Sequence, residues 1–177
     1  MVDPSVVKHA DYLVVESTYG NREHAPSDPE SLLADVIGRT AVRGGVLLVP
    51  AFAVGRAHTL LFYIARLKAS KRIPDVPVFL DSPMAVNASQ IYCDHIGEHR
   101  LTKDQCHQTC RVAHYVRDAE ESKELDRKAG PMIIISASGM LEGGRVLHHL
   151  KAASRRLWKS SWRSLRGPGL SLRFQAA

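Results

Sequence analysis

The sequence has no apolar run near the ~20 residues needed to cross a bilayer. Met1 to Ala10 lacks the apolar core of a secretion signal. These two absences argue against a membrane or secreted protein and make the cytoplasm the expected compartment. Cysteine is scarce. Cys93, Cys106 and Cys110 are too few and odd in number for a disulfide framework, which suits a reducing environment and predicts buried free thiols. There is no HxHxDH, no Walker A and no GxSxG, so no self-contained catalytic centre is visible. No solenoid-type repeat is present.

The C-terminal region carries basic residues without acidic ones. Residues 151–177 carry Lys151, Arg155, Arg156, Lys159, Arg163, Arg166 and Arg173 and no Asp or Glu. The formal net charge is +6, from 24 Lys and Arg against 18 Asp and Glu. Removing those seven basic residues leaves 17 against 18, a net −1 over the first 150 residues. The body of the chain is therefore not a basic nucleic-acid glove. With 177 residues it fits one domain with a full core and an appendage.

What is present is an alternation of apolar runs and amphipathic segments. Tyr12–Glu16 (YLVVE) reads as a short buried strand, followed by a polar loop through Asp28. Asp28 and Pro29 have the N-cap and N1 chemistry of a helix start, and Leu32, Leu33, Val36 and Ile37 predict a helix to about Val42, ended by Gly44-Gly45. Val46–Val49 reads as a fully buried parallel strand, and 56–70 as a helix. Val76–Leu80 is a second buried strand, and Ser82 and Pro83 open a helix to about His95. Residues 96–110 are polar and unassigned. Val112–Val116 is a weak strand, 118–129 a charged helix, Met132–Ile135 a last strand, and Arg145 to about Ala153 a last helix. This predicts an α/β domain with a Rossmann-like, mostly parallel sheet of four or five strands flanked by helices. In the basic tail, Trp158 and Trp162 stand at i, i+4, compatible with a basic amphipathic helix or with disorder.

Three strand-to-helix loops carry the candidate site: AFAVGR (51–56), DSPMA (81–85) and SASGMLEGGR (136–145). In a parallel sheet all three leave the same edge, where α/β sheets bind ligands. Gly55, Gly139, Gly143 and Gly144 permit close backbone approach. Arg56 and Arg145 can fork a phosphate, and Asp81, Ser82, Ser136 and Ser138 supply polar groups. Turn and cap requirements alone also explain such residues in any one loop. Glu16, with Ser17 and Tyr19 beside it, ends the first apolar run and could orient a histidine or a metal-bound water. It could equally be an ordinary loop acid.

His95-Ile96-Gly97-Glu98-His99 matches H-x-x-E-H, but Gly97 weakens the helix that the motif needs. Cys106, His107 and Cys110 fit no finger or ribbon spacing. No metal ligand is assigned in this chain. His114, His148 and His149 read as strand and helix-face residues.

The stretches DYLVVESTYGNREH (11–24), LLVPAFAVGRAHTLLFYI (47–64), VFLDSPMAVNASQIY (78–92), AEESKEL (119–125) and MIIISASGMLEGGRVLHHLK (132–151) resemble the β-CASP nucleases of the metallo-β-lactamase superfamily, such as RNA 3′-end cleavage factors. The resemblance implies a β-CASP domain at 1–153, with 11–20 the end of a metallo-β-lactamase strand, and 154–177 as a basic tail. It implies that a metallo-β-lactamase domain in the parent protein is a partner, that single-stranded RNA threads between the two, and that two zincs drive phosphodiester hydrolysis. Glu16 matches the family's first acidic motif beside the metals, and the strand-end loops would track the RNA backbone.

The family's HxHxDH and later histidine motifs are absent here. The chain therefore reads as a fragment whose tail is disordered or a non-native continuation, inactive alone and binding no zinc of its own. No membrane partner is expected, and a homodimer is compatible with the reading. The rival readings are a non-catalytic RNA- or partner-binding module and a small-molecule phosphate binder.

Overall fold

The structure, a computed structural model, describes residues 5–23, 28–98 and 100–164. Helix α1 (Pro29–Val42) starts as its residues dictate. Asp28 accepts from the Glu30 and Ser31 amides, and Pro29 occupies the first turn, where no N–H is needed. Strand β1 (Val46–Pro50) and helix α2 (Arg56–Ala69) follow. Strand β2 (Val78–Asp81) begins two residues later than expected, because Pro77 cannot donate to a ladder and instead accepts the Ile133 amide. Ser82 caps α3 (Pro83–Asp94).

The unassigned polar region holds a 3₁₀ turn (Ile96–Glu98) and helix α4 (Lys103–Arg111), nucleated by a capping box between Thr102 and Gln105. Strand β3 (His114–Val116) is short. Helix α5 (Ala119–Leu125) ends earlier than expected, its last turn tightening into i→i+3 bonds before Gly130-Pro131. Strand β4 (Met132–Ser136) precedes α6 (Arg145–Ser164). That helix passes the expected end at Ala153, since its Ala, Leu, Lys and Arg are good helix formers and no Gly or Pro interrupts it. The expectation for Trp158 and Trp162 concerns side chains outside the described residues.

All four strands are parallel in the order β1-β4-β2-β3. One face of the sheet carries Leu47, Val49, Val78, Leu80, Ile133 and Ile135 against Ile37 of α1 and Leu61 and Ile64 of α2. The other carries Val46, Leu48, Phe79, Met132 and Ile134 with Leu125 of α5. Helix α6 packs there against β1. The alternation follows the two-residue period of a strand.

Three expectations are corrected. Val46–Val49 is not a fully buried strand: β1 lies at the sheet edge and is half-buried, because β4 inserts between β1 and β2. Tyr12–Val15 is not buried, and Tyr12 and Val14 are 92% and 96% exposed. Among the described residues no strand lies beside it to complete a ladder. Cys93 and Cys110 are not free thiols but form a disulfide joining the ends of α3 and α4, with Cα atoms 6.5 Å apart. Cys106 alone is a buried free thiol. Among the described residues no helix is long and apolar enough to cross a membrane.

Candidate functional site

The strand ends form one row. Pro50 pairs with Ser136, Ser136 with Asp81, and Asp81 with Val116. The loops that carry Arg56, Ser82 and Gly144 therefore leave a common edge. They also touch. The Ala51 amide donates to the Ser136 carbonyl at 3.0 Å, and Ser136 Oγ donates to the Asp81 carbonyl at 2.8 Å. A Cβ on Gly139 would stand 2.9 Å from the Phe52 amide nitrogen, so that loop can rest on its neighbour only through glycine. Gly144 has φ +77°, and a Cβ there would collide with the Ala137 carbonyl. Gly55 caps α2, while Ser138 and Gly143 close the third loop through a Ser138 N–H to Gly143 carbonyl bond of 3.2 Å.

The amides at the helix starts are engaged within the chain. Ala57 N–H donates to the Phe52 carbonyl, Ala85 N–H to Ser82 Oγ and Val146 N–H to the Ala137 carbonyl. Caps and turns account for these groups, so the rim's positive charge rests on side chains. Arg56 is exposed, and its side chain makes no hydrogen bond or ion pair among the described residues. Phe52, Val54, Met140 and Leu141 add exposed apolar surface on the same loops.

Arg145 turns inward instead. Its Nη1 donates to Asp81 Oδ1 at 2.6 Å and its Nη2 to the Arg117 carbonyl at 3.1 Å. Asp81 ends the apolar run VFLD on the face of the sheet that meets α5 and α6, and its side chain is wholly buried. Its Oδ2 also accepts from Ser122 Oγ at 2.5 Å and faces His149 Nε2 at 2.6 Å. His149 Nδ1 faces Asp126 Oδ1 at 2.8 Å. With a carboxylate against each ring nitrogen, the doubly protonated imidazolium satisfies both contacts. Burial pushes the His149 pKa down, but the hydrogen bonds to Asp81 and Asp126 outweigh it and hold the ring above the ordinary histidine value. Burial likewise pushes Asp81 up, and its bonds to His149, Ser122 and Arg145 bring it below the ordinary aspartate value.

Sequence reasoning placed Asp81 and Arg145 on the rim but missed His149, Asp126 and Ser122. Two signals pointed to them: an aspartate ending an apolar strand, and Arg145 and His149 at i, i+4 on one helix face.

Glu16, Ser17 and Tyr19 lie on the exposed N-terminal segment, where hydrogen bonds are local. Thr18 N–H donates to Glu16 Oε1 at 2.7 Å. Hydrogen bonding from Thr18, its side chain first and then this N–H, holds the Glu16 carboxyl below its usual value. Among the described residues no hydrogen bond ties this segment to the rim. His95 Nδ1 donates to the Ile91 carbonyl at 2.8 Å, and His99 of the H-x-x-E-H pattern lies outside the described residues. Among the described residues no three His, Cys, Asp or Glu side chains converge as a metal site, so the residues present do not fit the zinc that the resemblance implies, and no metal-dependent step is derived for them.

A family model described as Beta-Casp domain matches residues 57–157. The chain is 36% identical over 157 residues to Ribonuclease TTHA0252 of Thermus thermophilus, covering 84% of this chain and 36% of that protein. It is 32% identical over 149 residues to an RNase J-like protein of Methanocaldococcus jannaschii, covering 82% of this chain and 35% of the relative. Transcription termination factor FttA of Methanosarcina mazei is 30% identical over 164 residues, covering 86% and 26%. The chain thus spans about a third or less of the length of these curated relatives.

Proposed function

This chain belongs to the Beta-Casp family, and from that premise we propose that it is the RNA-gripping portion of a metal-dependent RNA-processing nuclease. The carrying observation is the aligned row of strand ends at Pro50, Ser136, Asp81 and Val116, from which all the polar loops emerge together. A single-stranded RNA backbone lies across those loops, with Arg56 against a phosphate and the exposed rings and side chains of Phe52, Val54 and Met140 against bases or a facing domain.

The chemistry is phosphodiester hydrolysis. In the whole protein zinc and its main ligands would come from a metallo-β-lactamase domain, and Glu16 would be the acid that this chain contributes beside them. Ser17 and Tyr19 accompany it, and the exposed apolar run Tyr12–Val15 has the composition to pair with that domain's sheet. By itself the chain binds RNA without cleaving it, in the cytoplasm. Two of the three relatives described carry ribonuclease names, which supports this reading.

The test is fluorescence anisotropy with a labelled single-stranded RNA across a salt series, on the full chain and on a chain ending at Ala153. Salt-dependent binding that persists without residues 154–177 is expected. Binding lost entirely with that segment would leave only a sticky basic tail. Cleavage above the blank when zinc is added would refute inactivity of the isolated chain.

A further inference from the structure

We propose that the groove between α5 and α6 is a second binding site, for a phosphoryl anion. It is a cavity of about 350 Å³, within the usual range for small-ligand sites. It lies between the two helices, on the face of the sheet that carries the buried cluster.

The floor is electrically closed. Asp126 is answered by His149, and Arg145 by Asp81. The walls are not closed. Lys123, His148 and Lys151 line the groove. Among the described residues Lys123 meets only Glu120, in an exposed i, i+3 pair at 2.7 Å, a geometry that holds a lysine weakly. The side chains of Lys151 and His148 have no hydrogen bond or ion pair among the described residues. Ala119 and Ala152 line the groove with small side chains that leave it open.

The unanswered charge around this space is therefore positive. Lys151 and His148, with the weakly held Lys123, line a groove of this size as a set that matches a phosphate or phosphate ester, not a cation or a neutral apolar ligand. The groove between α2 and α4, about 440 Å³, lacks that bias: Asp104 and Arg111 both line it and oppose each other.

The phosphoryl group has two sources, a free anion or nucleotide and a backbone phosphate of RNA leaving the rim. The test is a ¹H–¹⁵N titration of the full chain with inorganic phosphate, with adenosine 5′-monophosphate and with a short oligouridylate. Signals of residues 119–126 and 145–152 are expected to shift and saturate. Lys151→Glu should weaken that binding about tenfold, as loss of a charge-assisted contact does. Arg56→Glu, on the rim, should weaken binding of the oligouridylate but leave inorganic phosphate and the mononucleotide unaffected in the groove, so failure here and failure of the rim reading are distinguishable. Saturation by phosphate or the mononucleotide identifies a free anion, and saturation by the oligouridylate alone identifies RNA. No saturation with any of the three, or groove shifts that survive Lys151→Glu at wild-type affinity, overturns the site.

Discussion

His149 Nε2 and Asp81 Oδ2 stand 2.6 Å apart, with side chains only 3% and 0% exposed, and they join helix α6 to the end of the inner strand β2. This pair and Arg145 fix where α6 starts, and so fix the loop before it.

Asp81→Asn should cost about 3 kcal/mol or more in urea unfolding, because Arg145 and His149 would be left as poorly answered, largely buried cations. A loss below about 1 kcal/mol would show that the cluster does not hold α6. Asp81 has a depressed folded pKa, so its contribution is present above the unfolded value of 3.8 and is lost as pH falls through the folded value.

His149 gives the opposite arm. Its folded pKa is raised, so its contribution is fully present below the unfolded value of 6.5 and is lost as pH rises through the folded value. The stability difference between wild type and His149→Gln should therefore shrink from pH 6 upward. A difference that stays constant to pH 9 would mean that the ring is neutral in the folded protein.

Gly144→Ala should destabilise by about 1–3 kcal/mol, since φ is +77° and the added Cβ meets the Ala137 carbonyl. Gly143→Ala, where nothing stands within 4 Å of the added atom, should change the melting temperature little. Equal melting shifts for the two would contradict the loop geometry.

Arg56→Glu should weaken single-stranded RNA binding at low salt and lower the salt slope by about one. The melting temperature should not move, because the Arg56 side chain is exposed and makes no hydrogen bond or ion pair among the described residues. An unchanged slope would take Arg56 out of the RNA path.

The elements whose signals are local were legible in the sequence. Asp28-Pro29 and the spacing from Leu32 to Ile37 set α1 to the residue. The T-x-x-Q box of α4 was equally local, yet the polar composition around it hid it. The disulfide was not legible, because Cys93 and Cys110 are brought together by the packing of α3 against α4, and spacing carries no trace of that. The rim was legible as a set of loops on one edge, since parallel strands leave no alternative. The opposite fates of its two arginines were not.

Apolar runs alternating with amphipathic helices are written in the residues themselves, and they are enough to require a parallel sheet that gathers its polar loops along one edge. Periods, caps and breakers act over a few residues, so they survive without a fold. Which charges face solvent and which are spent inside depends on how the layers pack. His149 and Asp81 are 68 positions apart. They meet because β4 takes its place between β1 and β2 while α5 and α6 pack on the face toward which Asp81 points. A buried charge takes its partner from the neighbouring layer, and that layer is assigned only when the strands have been ordered.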